Sequence, residues 1–223
     1  HKQLHQWLPC NTDCILCLNM SKRLSSEADT EVGPVSPTKK SRKSHESPVK
    51  GKKKGGLLAA LDGWWRVDIG ASDTPEKYLR FMGLVNDNTV SAGNKAHTEF
   101  GTYCNISIKQ AGRSIVMERH SRLINGRVDK FKLGETQTTT LKKLGEKTMT
   151  VTGGPKGEII TVSSVPTLVG VIEVHDTRVI SDDDVNIMLQ TVKCSNRKTG
   201  ETMVRTLQHN RAQKPQLPLQ PLS

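Results

Sequence analysis

The sequence predicts an all-β domain, a sandwich or an antiparallel barrel, carried behind a basic arm that does not fold. Three observations lead there. Short runs of alternating side chains recur between Tyr103 and Leu207 at a spacing of roughly 8–12 residues, the pattern of many strands joined by turns. Asn125-Gly126 separates two of these runs, and both residues tolerate the positive φ that a two-residue hairpin turn needs. Trp7 aside, every aromatic residue lies between Trp64 and Phe131, so residues 1–56 have little from which to build a core.

The arm comes first in the chain. Residues 21–56 are mostly Ser, Pro, Lys and Gly with isolated aliphatics, and such a stretch cannot bury enough apolar surface to offset the entropy of ordering it. Residues 1–56 hold eleven Lys or Arg and five Asp or Glu, so +6 of the net +11 charge sits on this segment. The low hydrophobic fraction of 34% and aromatic fraction of 4% then follow partly from dilution by the arm. No run approaches the ~18 apolar residues of a membrane-crossing helix. Met20 opens a run, Met20-Ser21-Lys22-Arg23, of the kind that starts a protein; residues 1–19 are expected to be a fragment, an alternative start or translated upstream sequence. The apolar stretch 14–18 is too short for a secretory signal and lacks a basic flank. A cytoplasmic or nuclear protein with reduced thiols is therefore expected, and the odd count of five cysteines fits it.

The folded region is expected over residues 57–208. Its convincing helix is 75–84, with Thr74 as cap, Pro75 at the first helical position and Glu76 at the positive end of the dipole. Tyr78, Leu79 and Met82 give that helix an apolar stripe, and a second short helix is expected near 88–93. Strands are expected at 105–110, 114–119, 128–133, 147–152, 158–163, 168–175, 185–193 and 201–207, with turns at 181–184 and 196–200. Abundant threonine in these runs suits a β wall with a partly polar inner face. Residues 209–223, with Pro215, Pro218 and Pro221, read as an irregular tail.

Three segments in order resemble the intracellular lipid-binding protein family, the fatty-acid-binding and cellular retinoid-binding proteins. Gly63-Trp64-Trp65-Arg66-Val67 followed by Glu76-Lys77-Tyr78-Leu79 is similar to that family's first strand and helix. Phe131-Lys132-Leu133-Gly134-Glu135 is similar to its F-x-L-G-E segment, and residues 202–207 stand where its last strand would be. The resemblance covers about residues 61–208. It implies a ten-stranded antiparallel up-and-down barrel, calycin-like, with a helix-turn-helix lid over a water-containing cavity. It also implies a carrier of a fatty-acid- or retinoid-like ligand, acting as a monomer and not as an enzyme. Arg205 matches the Arg of the family's Arg-x-Tyr pair, with Leu207 at the Tyr position, and Arg178 is the arginine available on an earlier strand. An arginine fork meets both oxygens of a buried carboxylate, so these residues are the candidate ligand site. Tyr78, Leu79, Met82 and Ile124 are the candidate portal. Loss of the tyrosine hydroxyl and Pro75 before Glu76 depart from the family pattern, as do two extra residues after Val67.

The arm carries a second kind of signal. Lys39, Lys40, Arg42 and Lys43 form one basic cluster, and Lys52, Lys53 and Lys54 form another about ten residues on. The pair resembles a bipartite nuclear-import signal. Importin and a nuclear receptor are thus candidate partners; nucleic acid and a transient anionic membrane contact compete for the same field. Ser36 and Ser47 each precede proline and are candidate phosphorylation sites, where added negative charge would weaken the arm's field. A ligand-free interaction module tethered to nucleic acid or chromatin is the alternative reading. A secreted lipocalin also has a G-x-W strand, but the missing signal and short strand spacing oppose it. No nucleophile elbow, phosphate loop or dinucleotide fingerprint is present, so no enzyme and no cofactor is expected. Cys10, Cys14 and Cys17 with His5 lack the second spaced pair of a structural zinc site, and Asp182-Asp183-Asp184 lacks calcium-loop spacing, so no metal is expected either.

Overall fold

The computed structural model describes residues 57–109, 113–124 and 126–222. The expectations placed on the arm, namely its lack of fold, the import clusters and Ser36 and Ser47, lie outside these residues. A 3₁₀ turn at Leu57–Leu61 leads into ten strands and two helices: β1 (Gly63–Asp68), α1 (Glu76–Phe81), α2 (Asp87–Phe100), β2 (Thr102–Lys109), β3 (Ser114–Ser121), β4 (Arg127–Lys132), β5 (Thr136–Leu141), β6 (Gly145–Gly153), β7 (Ile159–Thr167), β8 (Gly170–Ile180), β9 (Ile187–Asn196) and β10 (Thr202–Ala212). They form one antiparallel sheet in the order β4-β3-β2-β1-β10-β9-β8-β7-β6-β5. Every laddered pair is also consecutive in sequence except β1 and β10, which close the curl; β4 and β5 follow each other in sequence but share no ladder. This is the ten-stranded up-and-down half-barrel with a two-helix lid.

Strict alternation builds the wall. Along β9, Met188, Gln190, Val192, Cys194 and Asn196 are buried while their neighbours are less so, and β8 and β10 repeat the pattern. Because side chains alternate with period two, the ladder register carries this inward set around the sheet. Adjacent Trp64 and Trp65 consequently point to opposite faces. Trp65 is fully buried at the barrel floor; its indole N–H donates to the Leu61 carbonyl at 2.9 Å, and the Arg211 guanidinium lies 4.2 Å from the ring centroid.

Several boundaries differ from the sequence expectation for physical reasons. α2 runs fourteen residues, well beyond the expected 88–93. Asn86 caps it by accepting from the Thr89 N–H at 3.2 Å, and its buried face consists of Val90, Gly93, Ala96 and His97, which give almost no apolar periodicity. α1 is capped at Pro75 with no side-chain bond, so Thr74 does not act as the cap. β5 has no counterpart among the expected strands because residues 136–140 are all exposed and present no alternation. β10 continues to Ala212, five residues past the expected strand end and into the expected irregular tail, because residues 208–212 pair with β1. Beyond it, residues 213–222 lack regular structure, and the Leu222 N–H donates to the Glu99 carbonyl at 2.6 Å.

The interior divides into two apolar clusters. One lies beneath the lid and gathers Tyr78, Leu79, Met82, Val90, Ile172 and Leu207 with their neighbours. The other fills the floor around Leu61, Trp65, Ile106, Ile115, Phe131 and Met188. Polar side chains lie between them.

Candidate ligand-binding interior

Alternation on β10 brings Arg205, Leu207 and His209 to the inner face, and alternation on β8 does the same for Asp176 and Arg178. All five are almost fully buried. The Arg178 guanidinium donates to Asp176 Oδ2 at 3.0 Å and, across the interior, to the Met117 sulfur on β3 at 3.0 Å. Asp176 Oδ2 also accepts from Gln190 Nε2 at 3.0 Å, and Gln190 Oε1 lies 2.8 Å from His209 Nε2. A polar chain therefore spans β8, β9 and β10 halfway along the barrel, and Arg178 links it to the opposite wall. A second pairing on that wall joins Arg119 and Arg127 to Asp129, the latter at 3.2 Å.

Arg205 is held differently. Its Nε and one terminal nitrogen both donate to the Asp73 carbonyl at 3.3 Å, and its guanidinium lies 5.8 Å from the Tyr78 ring centroid. Asp73 in turn donates its backbone N–H to the Thr206 carbonyl at 2.9 Å and accepts the Thr206 N–H on its carboxylate at 2.7 Å. Ser72 bonds Gln208 likewise, at 2.9 Å. The two extra residues after Val67 thus belong to a short loop, turned by Asp68 Oδ1 accepting the Gly70 and Ala71 N–H groups, after which the chain pairs with β10 again. Arg205 pins the entry to the lid.

The sequence-derived residues divide accordingly. Arg205, Arg178 and Leu207 all face inward, but Arg205 lies at the lid entry and Arg178 in the central polar chain, each with its own partners. Tyr78, Leu79 and Met82 are buried in the cluster beneath the lid. Ile124 borders a cavity under the helices with Pro75, Ala96, His97, Arg119 and Arg205. That cavity measures about 20 Å³, room for about one water molecule. It is far smaller than the wet chamber implied by the resemblance. Asp176, Gln190 and His209 went unnoticed in the sequence. Their inward alternation with Val174, Val192 and Leu207 was the available signal.

Among the described residues no group of three or more His, Cys, Asp or Glu is placed to hold a metal ion, and no helix is long and apolar enough to cross a membrane. Cys194 sits on the inner face of β9, and burial first, with the nearby Asp176 charge second, pushes its thiol up from 9.0 to about 12.

No family model and no curated relative matches the sequence. Solved structures do match. A Schistosoma mansoni fatty-acid-binding protein in complex with arachidonic acid superposes with a TM-score of 0.52 at 15% identity, covering 70% of this chain and 99% of that one. Apo lipid-binding protein 8 of Caenorhabditis elegans gives 0.50 at 15% identity, covering 69% and 96%. Secretory abundant heat soluble protein 4 of Ramazzottius varieornatus gives 0.50 at 13% identity, covering 72% and 99%. The chain thus has the calycin-like fold seen in fatty-acid-binding and other lipid-binding proteins, at an identity that marks it as divergent.

Two outcomes test this interior. Asp176→Leu strands a buried guanidinium and should destabilise the protein by about 3–5 kcal/mol, whereas Asp176→Leu combined with Arg178→Met should recover most of that in urea unfolding. A loss in the double variant as large as in the single one would contradict the pairing. For Cys194, a thiol raised in the folded state keeps its proton where the unfolded chain loses it. Its contribution is therefore constant below pH 9.0, and stability falls as pH climbs from there towards about 12. Cys194→Ala should flatten that part of the alkaline unfolding curve.

Proposed function

We propose that this protein is a non-enzymatic carrier that holds a hydrophobic small molecule, of fatty-acid or retinoid type, inside the half-barrel. The observation that carries the reading is the two-helix lid closing over an inward-facing guanidinium, Arg205, with a second, Arg178, deeper in the same interior. Lipid-binding structures of the same fold support it. Entry of a ligand would require the lid to lift, because the cavity that Arg205 borders beneath it measures about 20 Å³. A ligand carboxylate would then replace the Asp73 carbonyl on Arg205, and a charge-assisted bond favours that exchange. Tyr78, Leu79 and Met82 would line the acyl path, and Ile124 the rim of the portal. The arm would direct location, through importin, a nuclear receptor or a transient anionic membrane contact.

The alternative is an interaction module that no longer holds a ligand, tethered to nucleic acid or chromatin by the arm. A specific observation favours it: Arg178 already has a carboxylate partner, Asp176, at 3.0 Å. Steeply salt-dependent DNA binding together with silence towards acyl and retinoid probes would select it.

The full chain should bind a fluorescent fatty acid or retinol. Arg205→Ala should weaken fatty-acid binding by about 10–100-fold, the equivalent of a charge-assisted hydrogen bond. Circular dichroism must show the variant folded, since Arg205 also pins the lid entry. No binding of any acyl or retinoid probe would sink the carrier reading. In cells, replacing Lys39, Lys40, Arg42 and Lys43 with Ala should reduce nuclear accumulation, and Ser36→Ala/Ser47→Ala should shift it in the opposite direction to phosphomimetic Glu. Unchanged distribution in all three variants would remove the arm's targeting role.

A further inference from the structure

Beyond β10 the chain turns back over the outside of the barrel, and the Leu222 N–H donates to the Glu99 carbonyl near the end of α2. A groove of about 730 Å³ lies between this returning segment and the outer face of β1, β2 and β10, within the range of roughly 300–1,000 Å³ that small-molecule sites occupy. Alternation turns Arg66 and Asp68 of β1, Tyr103 of β2 and Asn210 of β10 outwards, opposite to the buried Trp65, Val67, Cys104 and His209. Arg66 and Tyr103 are ladder partners, and the guanidinium lies 5.8 Å from the ring centroid. Asn210 Nδ2 donates to Asp68 Oδ2 at 3.0 Å. Gln213, Lys214, Pro215 and Leu222 border the same space from the returning segment. Arg211 borders it as well, but its guanidinium turns away to the Ala60 and Asp62 carbonyls and the Trp65 ring at the floor.

The charged groups of the groove differ in what they already hold. Among the described residues neither Arg66 nor Lys214 is paired with a carboxylate, so both have N–H donors and charge available. Asp68 accepts the Gly70 and Ala71 N–H groups on Oδ1 and Asn210 on Oδ2, which leaves acceptor capacity on Oδ2. We propose that this groove binds a nucleoside phosphate. The phosphate meets the N–H edge of Arg66 and the Lys214 ammonium. The base packs on the half-buried Tyr103 ring beneath Pro215 and Leu222. Sugar hydroxyls donate to Asp68, and the amides of Asn210 and Gln213 meet the base edge. The combination selects among anions: a fatty acid brings no donor for Asp68, and a bare phosphate brings no ring for Tyr103. The arm, with its +6 charge, is a poor occupant of a groove that holds two cations without acidic partners. The groove lies on the opposite side of the wall from Arg205 and the interior, so it does not rest on the carrier reading.

The test is an amide NMR titration of the full chain at constant ionic strength with adenosine 5′-monophosphate, against adenosine, ribose 5-phosphate and oleate. Saturable shifts are expected at Asp68, Tyr103, Asn210 and Gln213, with adenosine and ribose 5-phosphate at least about tenfold weaker than the nucleotide. Nucleotide drawn to the arm shifts the arm's own amides and leaves these as the readout. Arg66→Gln should weaken binding about tenfold or more, as should Lys214→Glu, at an exposed position where folding is not at risk. Tyr103→Ser should cost at least about fivefold, and Tyr103→Phe should restore the affinity. Lys214→Glu should leave binding of a fluorescent fatty acid unchanged. No saturable shift at these amides, ribose 5-phosphate or adenosine bound as tightly as the nucleotide, saturation by oleate instead, or an unaltered affinity in either charge variant would overturn the proposal.

Discussion

The constraint on which the rest of this barrel depends is the burial of the Arg178–Asp176 pair in the middle of its interior. Two charges removed from water are tolerable only when their geometry is good and their remaining polar atoms are occupied. Gln190 and His209 extend the pair into a chain over three adjacent strands, and Met117 receives Arg178 from the far wall. This fixes the register of β8, β9 and β10 more tightly than aliphatic contacts would, because a slip of one residue would turn a guanidinium and a carboxylate to the wrong face. It also explains why the interior has a layered character, with one apolar cluster under the lid and another at the floor.

The lid depends on a different device. Asp73 and Ser72 bond to β10 through backbone and side chain, and Arg205 on β10 reaches back to the Asp73 carbonyl. The helix pair is therefore attached to the same strand whose inner face would meet a ligand. Under the proposed carrier function, a ligand that drew Arg205 inward would release the carbonyl it holds and so couple occupancy to the position of the lid.

Much of the architecture was legible in the sequence because it rests on alternation and turn chemistry. The runs at β3, β4 and β6 to β10 lie close to their expected positions, but the connection between β3 and β4 is not the expected two-residue Asn-Gly hairpin: Arg119 pairs with Arg127, and the tight turn closes earlier, between Ser121 and Ile124. The strand that went unseen, β5, carries five exposed residues and borders the break in the sheet, so it has no apolar face to announce it. Glycine, alanine and histidine make up most of the buried face of α2, so its apolar periodicity marks a shorter helix than the fourteen residues it has. The interior was legible in part. Arg205 and Arg178 stood out as arginines on strands, yet nothing local could reveal that Asp73 and Asp176 would be their partners. The first lies 132 residues away from Arg205, and the second is two residues from Arg178 among a polar run that reads like surface.

The arrangement of the two chain ends has a topological consequence. β1 and β10 are paired, and Arg211 near the end of β10 donates to the Ala60 and Asp62 carbonyls at the entry to β1. The described ends of the domain are thus stitched together, while the loop between β4 and β5 interrupts no ladder at all. A circular permutant that joins the ends and opens the chain at Gly134 would preserve every strand pairing of the sheet. In such a molecule the break in the wall would become the pair of termini, and the seam that now closes the barrel would become its centre.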